Sequence, residues 1–161
     1  MIANLVILGL VTLSRLIELP IAAHNTARLK AEGGHEVGAG HYPLIVALHV
    51  AWLASLWALA PQRPISLPFL ILFGLVELGR IWVLQTLGPR WTTRIIVVPG
   101  ETLVARGPYK YLNHPNYAVV IAEIALLPLV FGLWQIALIF SLLNAAILTV
   151  RIREENRALR G

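Results

Sequence analysis

The residues most able to do chemistry are ionisable side chains set in apolar surroundings. Asn144, Arg151 and Glu155 are spaced by seven and four, so they share one face of a helix. A guanidinium and a carboxylate on one face could orient an anionic group and take a proton from a hydroxyl, or simply form an i,i+4 ion pair near a membrane boundary. Glu123 follows Asn116 by seven and Val120 by three, within an apolar run that offers it no basic partner. Arg15 and Glu18, and Glu77 and Arg80, are two further pairs at a spacing of three. Each pair can join within its helix or between helices, either as structural ion pairs or as the lining of a polar pocket. Other chemistries lack residues. There is no Cys, hence no disulfide, thiolate nucleophile or thiolate metal site. His24, His35, His41, His49 and His114 show no metal-binding spacing, and every acid is Glu, so no metal is expected. His49 reads as an interhelical hydrogen-bonding group. Ser14, Ser55, Ser66 and Ser141 have no nucleophile-elbow context, and no Gly-rich strand-to-helix loop is present.

The elements that must hold these groups are membrane helices. The chain has 161 residues, 58% hydrophobic and 13% charged, against roughly 25% charged in ordinary soluble domains. Apolar runs cover Ile2–Ala23, Tyr42–Ala60, Leu67–Leu87 and Tyr117–Val150, and a helix needs about 20 residues to cross roughly 30 Å of hydrocarbon. The first run lacks a basic start and a small-x-small cleavage site, so it reads as a mature helix and not as a signal peptide. The last is broken by Pro128 and Gly132 into a helical hairpin, Tyr117–Phe131 and Leu133–Arg153. The expected fold is all-α, a polytopic membrane protein with about five transmembrane helices, the last two a hairpin, forming a single domain over 1–161. Sheet is not expected, because no segment alternates with period 2 and an open edge cannot face lipid. The one long non-helical stretch is 88–115, with extended character at Ile95–Val98.

Basic residues give the sidedness. Loops 24–41 and 88–115 and the C-terminal tail hold Arg28, Lys30, Arg90, Arg94, Arg106, Lys110, Arg151, Arg153, Arg157 and Arg160, whereas the opposite side holds Arg63 alone. By the positive-inside rule those two loops and the tail are cytoplasmic. The net charge of +5 then points to anionic lipid headgroups and needs no nucleic acid. Trp52, Trp57, Trp82, Trp91 and Trp134 suit interface belts and packing.

The stretch Leu103-Val-Ala-Arg-Gly-Pro-Tyr-Lys-Tyr-Leu-Asn-His-Pro-Asn-Tyr117, with Arg151-Ile-Arg-Glu-Glu-Asn-Arg-Ala-Leu159 downstream, resembles the isoprenylcysteine carboxyl methyltransferase family. The combination is G-x-Y, H-P-x-Y, a helical hairpin, then R-I-x-E-E-x-x-L. Arg15-x-x-Glu18 and Gly34-x-Glu36-x-Gly38-x-x-His41-Tyr42 are similar to its short bacterial branch. The resemblance implies a multi-spanning enzyme of the bacterial inner membrane that uses S-adenosylmethionine, with its cofactor and catalytic region over 88–161. It implies that Tyr109, His114, Pro115 and Tyr117 bind the cofactor and that Arg151 and Glu155 lie at the methyl-acceptor site. Glu123, in the helix after the motif, is a further catalytic candidate. Two positions depart from the family pattern: Asn113 stands where Arg usually precedes His-Pro, and Val119 where Gly is frequent. Arg106 then becomes the candidate cation for the cofactor carboxylate.

Methyl transfer from a sulfonium is an in-line displacement, so the protein has mainly to position sulfur, methyl and acceptor. A carboxylate acceptor needs a cation to orient it, which suits Arg151; a phenolic or enolic hydroxyl needs a base, which suits Glu155 or Glu123. Family members implicate prenylcysteine carboxylates and, in the bacterial branch, long-chain alkylpyrones or alkylresorcinols. A long apolar tail would enter from lipid, the cofactor from the cytoplasm. Phospholipid N-methylation, an NADPH-dependent reductase of the sterol-reductase kind, and a non-catalytic membrane subunit are the alternatives.

Overall fold

A computed structural model describes residues 1–102 and 104–160, with side chains described as far as residue 158. Leu103, which opens the motif stretch, and the Leu159 and Arg160 side chains lie outside the described residues. Five α-helices make up most of the fold: α1 (Ile2–Ala31), α2 (Tyr42–Leu59), α3 (Leu67–Leu87), α4 (Pro115–Val130) and α5 (Trp134–Arg160). Four of them are long and apolar enough to cross a membrane; α4 is shorter, at 16 residues. The chain is thus an integral membrane protein by its helices.

Helix ends follow local chemistry more than hydropathy. The apolar run at the N-terminus stops at Ala23, but α1 continues to Ala31. Its last eight residues, rich in good helix formers, carry it on until Gly33 adopts φ +91°. The amides of Gly33 and Gly34 then bond the carbonyls of Lys30 and Leu29, a Schellman closure. The same device ends α4. Gly132, at φ +67°, donates to Leu129 O, and Leu133 donates to Pro128 O. The expected break at Pro128 and Gly132 is therefore a helical turn that includes Pro128 and stops on the glycine. Pro115 occupies the first position of α4, where its missing N–H costs nothing.

Within 88–115 the chain forms two one-turn 3₁₀ helices, Gly88–Arg90 and Gly107–Lys110, and strand β2 (Ile95–Val97). Strand β1 (His35–Val37) pairs with β2 antiparallel, His35 opposite Val97 and Val37 opposite Ile95. A small sheet thus exists, contrary to expectation, but it joins two interhelical loops and involves no spanning segment. It was hidden because three-residue strands are too short to show alternation.

The loop groups gather at opposite ends. The strand pair packs against α1 and α5 at one end. At the other, Asn4 Nδ2 donates to Ala60 O and Arg63 O, and the Ser66 amide donates to Val130 O. The apolar core lies toward this second end, around Leu8, Trp52, Leu56, Phe73, Leu127 and Phe131.

Candidate active site

Two polar assemblies lie along a cavity of about 280 Å³ bounded by all five helices and the segment Trp91–Thr93. The deeper one unites the ionisable pairs. Arg80 donates from Nε and Nη2 to Glu18 and from Nη1 to Glu123 at 3.2 Å. Arg15 reaches Glu18 at 3.1 Å, Glu77 at 3.4 Å and Glu123 at 3.0 Å. Three carboxylates and two guanidiniums from α1, α3 and α4 thus form one network. Glu123, without a cation on its own helix, finds two on neighbouring helices. Arg15, Glu18 and Arg80 line the cavity; Glu123 sits behind them.

The second assembly is at the loop end. Arg151 is buried, and its Nε donates to the Tyr117 hydroxyl at 2.9 Å while Nη2 donates to the Thr93 carbonyl at 2.7 Å. The Tyr117 hydroxyl donates to Glu155 Oε2 at 2.5 Å. His114 stacks on the Tyr117 ring with centroids 5.3 Å apart. Its Nε2 contacts Asn156 Oδ1 at 3.2 Å, and its Nδ1 lies 3.7 Å from Glu155 Oε2. Arg151 and Glu155 therefore meet through Tyr117 and form no direct ion pair. Tyr117, Asn116, Asn144 and Arg151 face the cavity, whereas Glu155 does not.

Tyr109 lies in the turn Gly107–Lys110; burial and the nearby Glu155 charge push its hydroxyl up to about 12. It is consequently a neutral hydrogen-bonding group across the physiological range. Gly107 makes this turn possible, with φ +56° and a Cβ position only 2.5 Å from Thr86 Oγ1. Pro115 is buried where α4 begins.

The structure thus brings Arg151, Glu155, Tyr117 and His114 together, with Tyr109 beside them. It separates two candidates from that group. Glu123 belongs to the deeper network, six residues or roughly 9 Å along α4 from Tyr117. Arg106 is exposed, and its Nη2 points to Thr86 O at 3.4 Å. His49 bonds the Ile45 carbonyl of its own helix at 2.8 Å, a correction to the interhelical role expected of it. Trp52 is buried and donates to Ile124 O, and Trp91 is buried on the cavity wall, so both serve packing. Sequence reading missed Tyr42, Trp91, Thr93 and Asn156. Tyr42 had a signal in the Gly38-x-x-His41-Tyr42 motif and Asn156 stands beside Glu155 on α5 within the Arg151–Leu159 stretch, but Trp91 and Thr93 reach the site only through loop geometry.

The profile of the Isoprenylcysteine carboxyl methyltransferase (ICMT) family matches residues 69–161, more than half of the chain, and spans α3 to α5 with every residue of the Arg151 assembly. The chain belongs to this family. It is 40% identical over 158 residues, 95% of its length and 94% of the relative's, to "Uncharacterized protein YpbQ" of Bacillus subtilis. It is 27% identical over 151 residues, 90% of its length and 88% of the relative's, to an "Uncharacterized protein" of Haemophilus influenzae. Membership of a membrane methyltransferase-like family agrees with the long apolar helices and with the short bacterial branch that the motifs resemble. No solved structure matches the chain.

Proposed function

We propose that the protein is an integral-membrane, S-adenosylmethionine-dependent O-methyltransferase acting on a lipophilic acceptor. The acceptor is a prenylcysteine-like carboxylate or an alkylpyrone or alkylresorcinol hydroxyl. The observation that carries this reading is the Arg151–Tyr117–Glu155–His114 assembly at the loop end of a cavity whose walls are mostly apolar, apart from the deeper Arg15–Glu18–Arg80 network. Leu16, Leu19, Val46 and Val50 line that cavity, yet are also exposed on the outer face of α1 and α2, which gives an apolar tail a lateral way in from lipid.

The residues present fit the family's cofactor. The Trp91 indole N–H is buried without a hydrogen-bond partner among the described residues, leaving a donor for a bound group at the cavity wall. His114, Tyr117, Tyr109 and Pro115 would hold the molecule, with aromatic faces for the adenine or sulfonium. S-adenosylmethionine, when bound, supplies the methyl group as an electrophile on a positively charged sulfur. Arg151 orients the acceptor oxygen as a charged donor. Glu155 is the base for a hydroxyl acceptor. Because it lies off the cavity wall, Tyr117 relays the proton: its hydroxyl takes one proton at Oη as it passes its own to Glu155 Oε2. A carboxylate acceptor needs only the orienting half of this machinery. The loops 24–41 and 88–115 and the C-terminus face the cytoplasm of a bacterial inner membrane in this reading.

Calorimetry on purified protein tests it. S-adenosylhomocysteine should bind with a Kd of roughly micromolar order, and NADPH should not bind. Failure to bind the homocysteine product together with binding of NADPH would sink the proposal.

A further inference from the structure

The orientation of Arg151 traces back to a part of the chain outside the family-matched residues. Strand β1 ends at Val37, and Gly38 turns the chain sharply toward α2. Its φ is +64°, and a Cβ there would collide with the His41 ring. This turn sets Tyr42 at the first position of α2, facing the residues that precede β2. The Tyr42 hydroxyl meets Thr93 Oγ1 at 3.0 Å, and the Arg94 guanidinium lies over the Tyr42 ring, 4.0 Å from its centre. Arg94 in turn donates to Glu36 at 2.5 Å, and Glu36 accepts from Lys30 at 3.0 Å. Burial pushes the Glu36 carboxyl up, but the bonds from Arg94 and Lys30 outweigh it and hold it below the usual carboxylate range, so the clasp stays ionised near neutral pH. On the far side of this chain, the Thr93 carbonyl accepts Arg151 Nη2 at 2.7 Å.

We propose that Tyr42, backed by the Glu36–Arg94 ion pair, is a positioning residue for Arg151. It fixes Thr93, whose carbonyl and the Tyr117 hydroxyl pin the guanidinium at two points of its fork. A guanidinium carries five N–H donors in a rigid plane. With Nε and Nη2 anchored, Nη1 makes no hydrogen bond among the described residues and is left for the acceptor oxygen. A single anchor would let the plane swing about that bond, and small misplacements of an orienting group are costly in rate. The β1–β2 pair holds both ends of the clasp in register. The small sheet thereby carries Tyr42 to the site from a segment distant in sequence. The role assigned to Arg151 rests on the proposed function; the clasp itself is tested separately.

The test uses the full chain in detergent or nanodiscs. Tyr42→Phe keeps the ring under Arg94 and removes only the hydroxyl; Thr93→Val keeps the carbonyl and removes only Oγ1. With an S-farnesylcysteine analogue or a long-chain alkylpyrone as acceptor, each variant should lower kcat about tenfold, with the KM for S-adenosylmethionine unchanged. The double variant should be no slower than either single one. An activity-independent arm follows modification of Arg151 by phenylglyoxal, read by peptide mass spectrometry; the rate should rise several-fold in both variants. Unchanged kcat, losses that multiply in the double variant, or an unchanged Arg151 labelling rate would each overturn the positioning role. If the wild-type chain transfers no methyl group, the proposed function falls while the labelling arm still decides the clasp. Should Tyr42→Phe not fold, Thr93→Val carries the same measurements.

Discussion

Arg151 and Glu155 stand four apart on α5, the spacing of a helical ion pair, yet Tyr117 of α4 is inserted between them. In the proposed function, that insertion divides the labour. Arg151 faces the cavity and can touch an acceptor, whereas Glu155 is reached through a hydroxyl. Loss of either should stop transfer without unseating the cofactor. Arg151→Ala and Glu155→Gln are each expected to lose about 10²-fold or more in kcat on a hydroxyl acceptor, with affinity for S-adenosylhomocysteine largely kept. His114, stacked on Tyr117, is proposed to hold the cofactor, so His114→Ala should weaken that affinity measurably by calorimetry. Unchanged affinity in His114→Ala would mean that the division of roles is wrong.

Among the elements, the segment between α3 and α4 frames the α4 and α5 residues of the site, supplying Trp91, Thr93, Tyr109 and His114. Its backbone takes conformations that only particular residues allow. At Gly107 two constraints coincide: the positive φ disfavours any Cβ, and Thr86 fills the space where one would go. Thr86 cannot easily yield, because its hydroxyl is bonded to Trp82 O at 2.8 Å. Gly107→Ala should therefore destabilise the fold by more than ~1 kcal/mol, visible as a lower Tm in detergent, and should displace Tyr109. Ala at Gly74, where nothing lies nearby, is the control and should leave Tm within about a degree or raise it slightly, since Ala is the better helix former. The glycines and prolines of this segment were legible as punctuation in the sequence. Which of them faced a neighbour was not, because that depends on α3 passing behind the turn.

At the scale of the whole molecule the chain is graded from an apolar end to a polar one. The core around Leu56, Leu127 and Phe131 fills one end, the Arg15–Glu18–Glu77–Arg80–Glu123 network crosses the middle, and the Arg151 assembly and strand pair close the other. Charges at this depth need partners, since an unpaired one in hydrocarbon costs a few kcal/mol on insertion scales. The polar end also carries nearly all the basic residues, which sets the expected orientation. Because the native chain has no cysteine, Arg94→Cys gives a single labelling site. It should react with a membrane-impermeant maleimide only after the cytoplasmic face is opened. Labelling from the outside of intact cells would reverse the topology.

Legible in the sequence alone were the membrane class, the five helical segments to within a few residues except at the C-terminal ends of α1 and α5, the hairpin at Pro128–Gly132, and the family to which the motifs belong. These follow from hydropathy, helix period and local turn chemistry, all of which act over short stretches of chain. Only the tertiary structure decided how charges pair. Arg15 and Arg80 find Glu123 across three helices, Tyr117 intervenes between Arg151 and Glu155, and Tyr42 reaches Thr93 through a two-stranded sheet too short to announce itself. Pairing inside a low-dielectric interior is set by which side chains the helix packing brings within about 3 Å, and spacing along a single helix does not encode it.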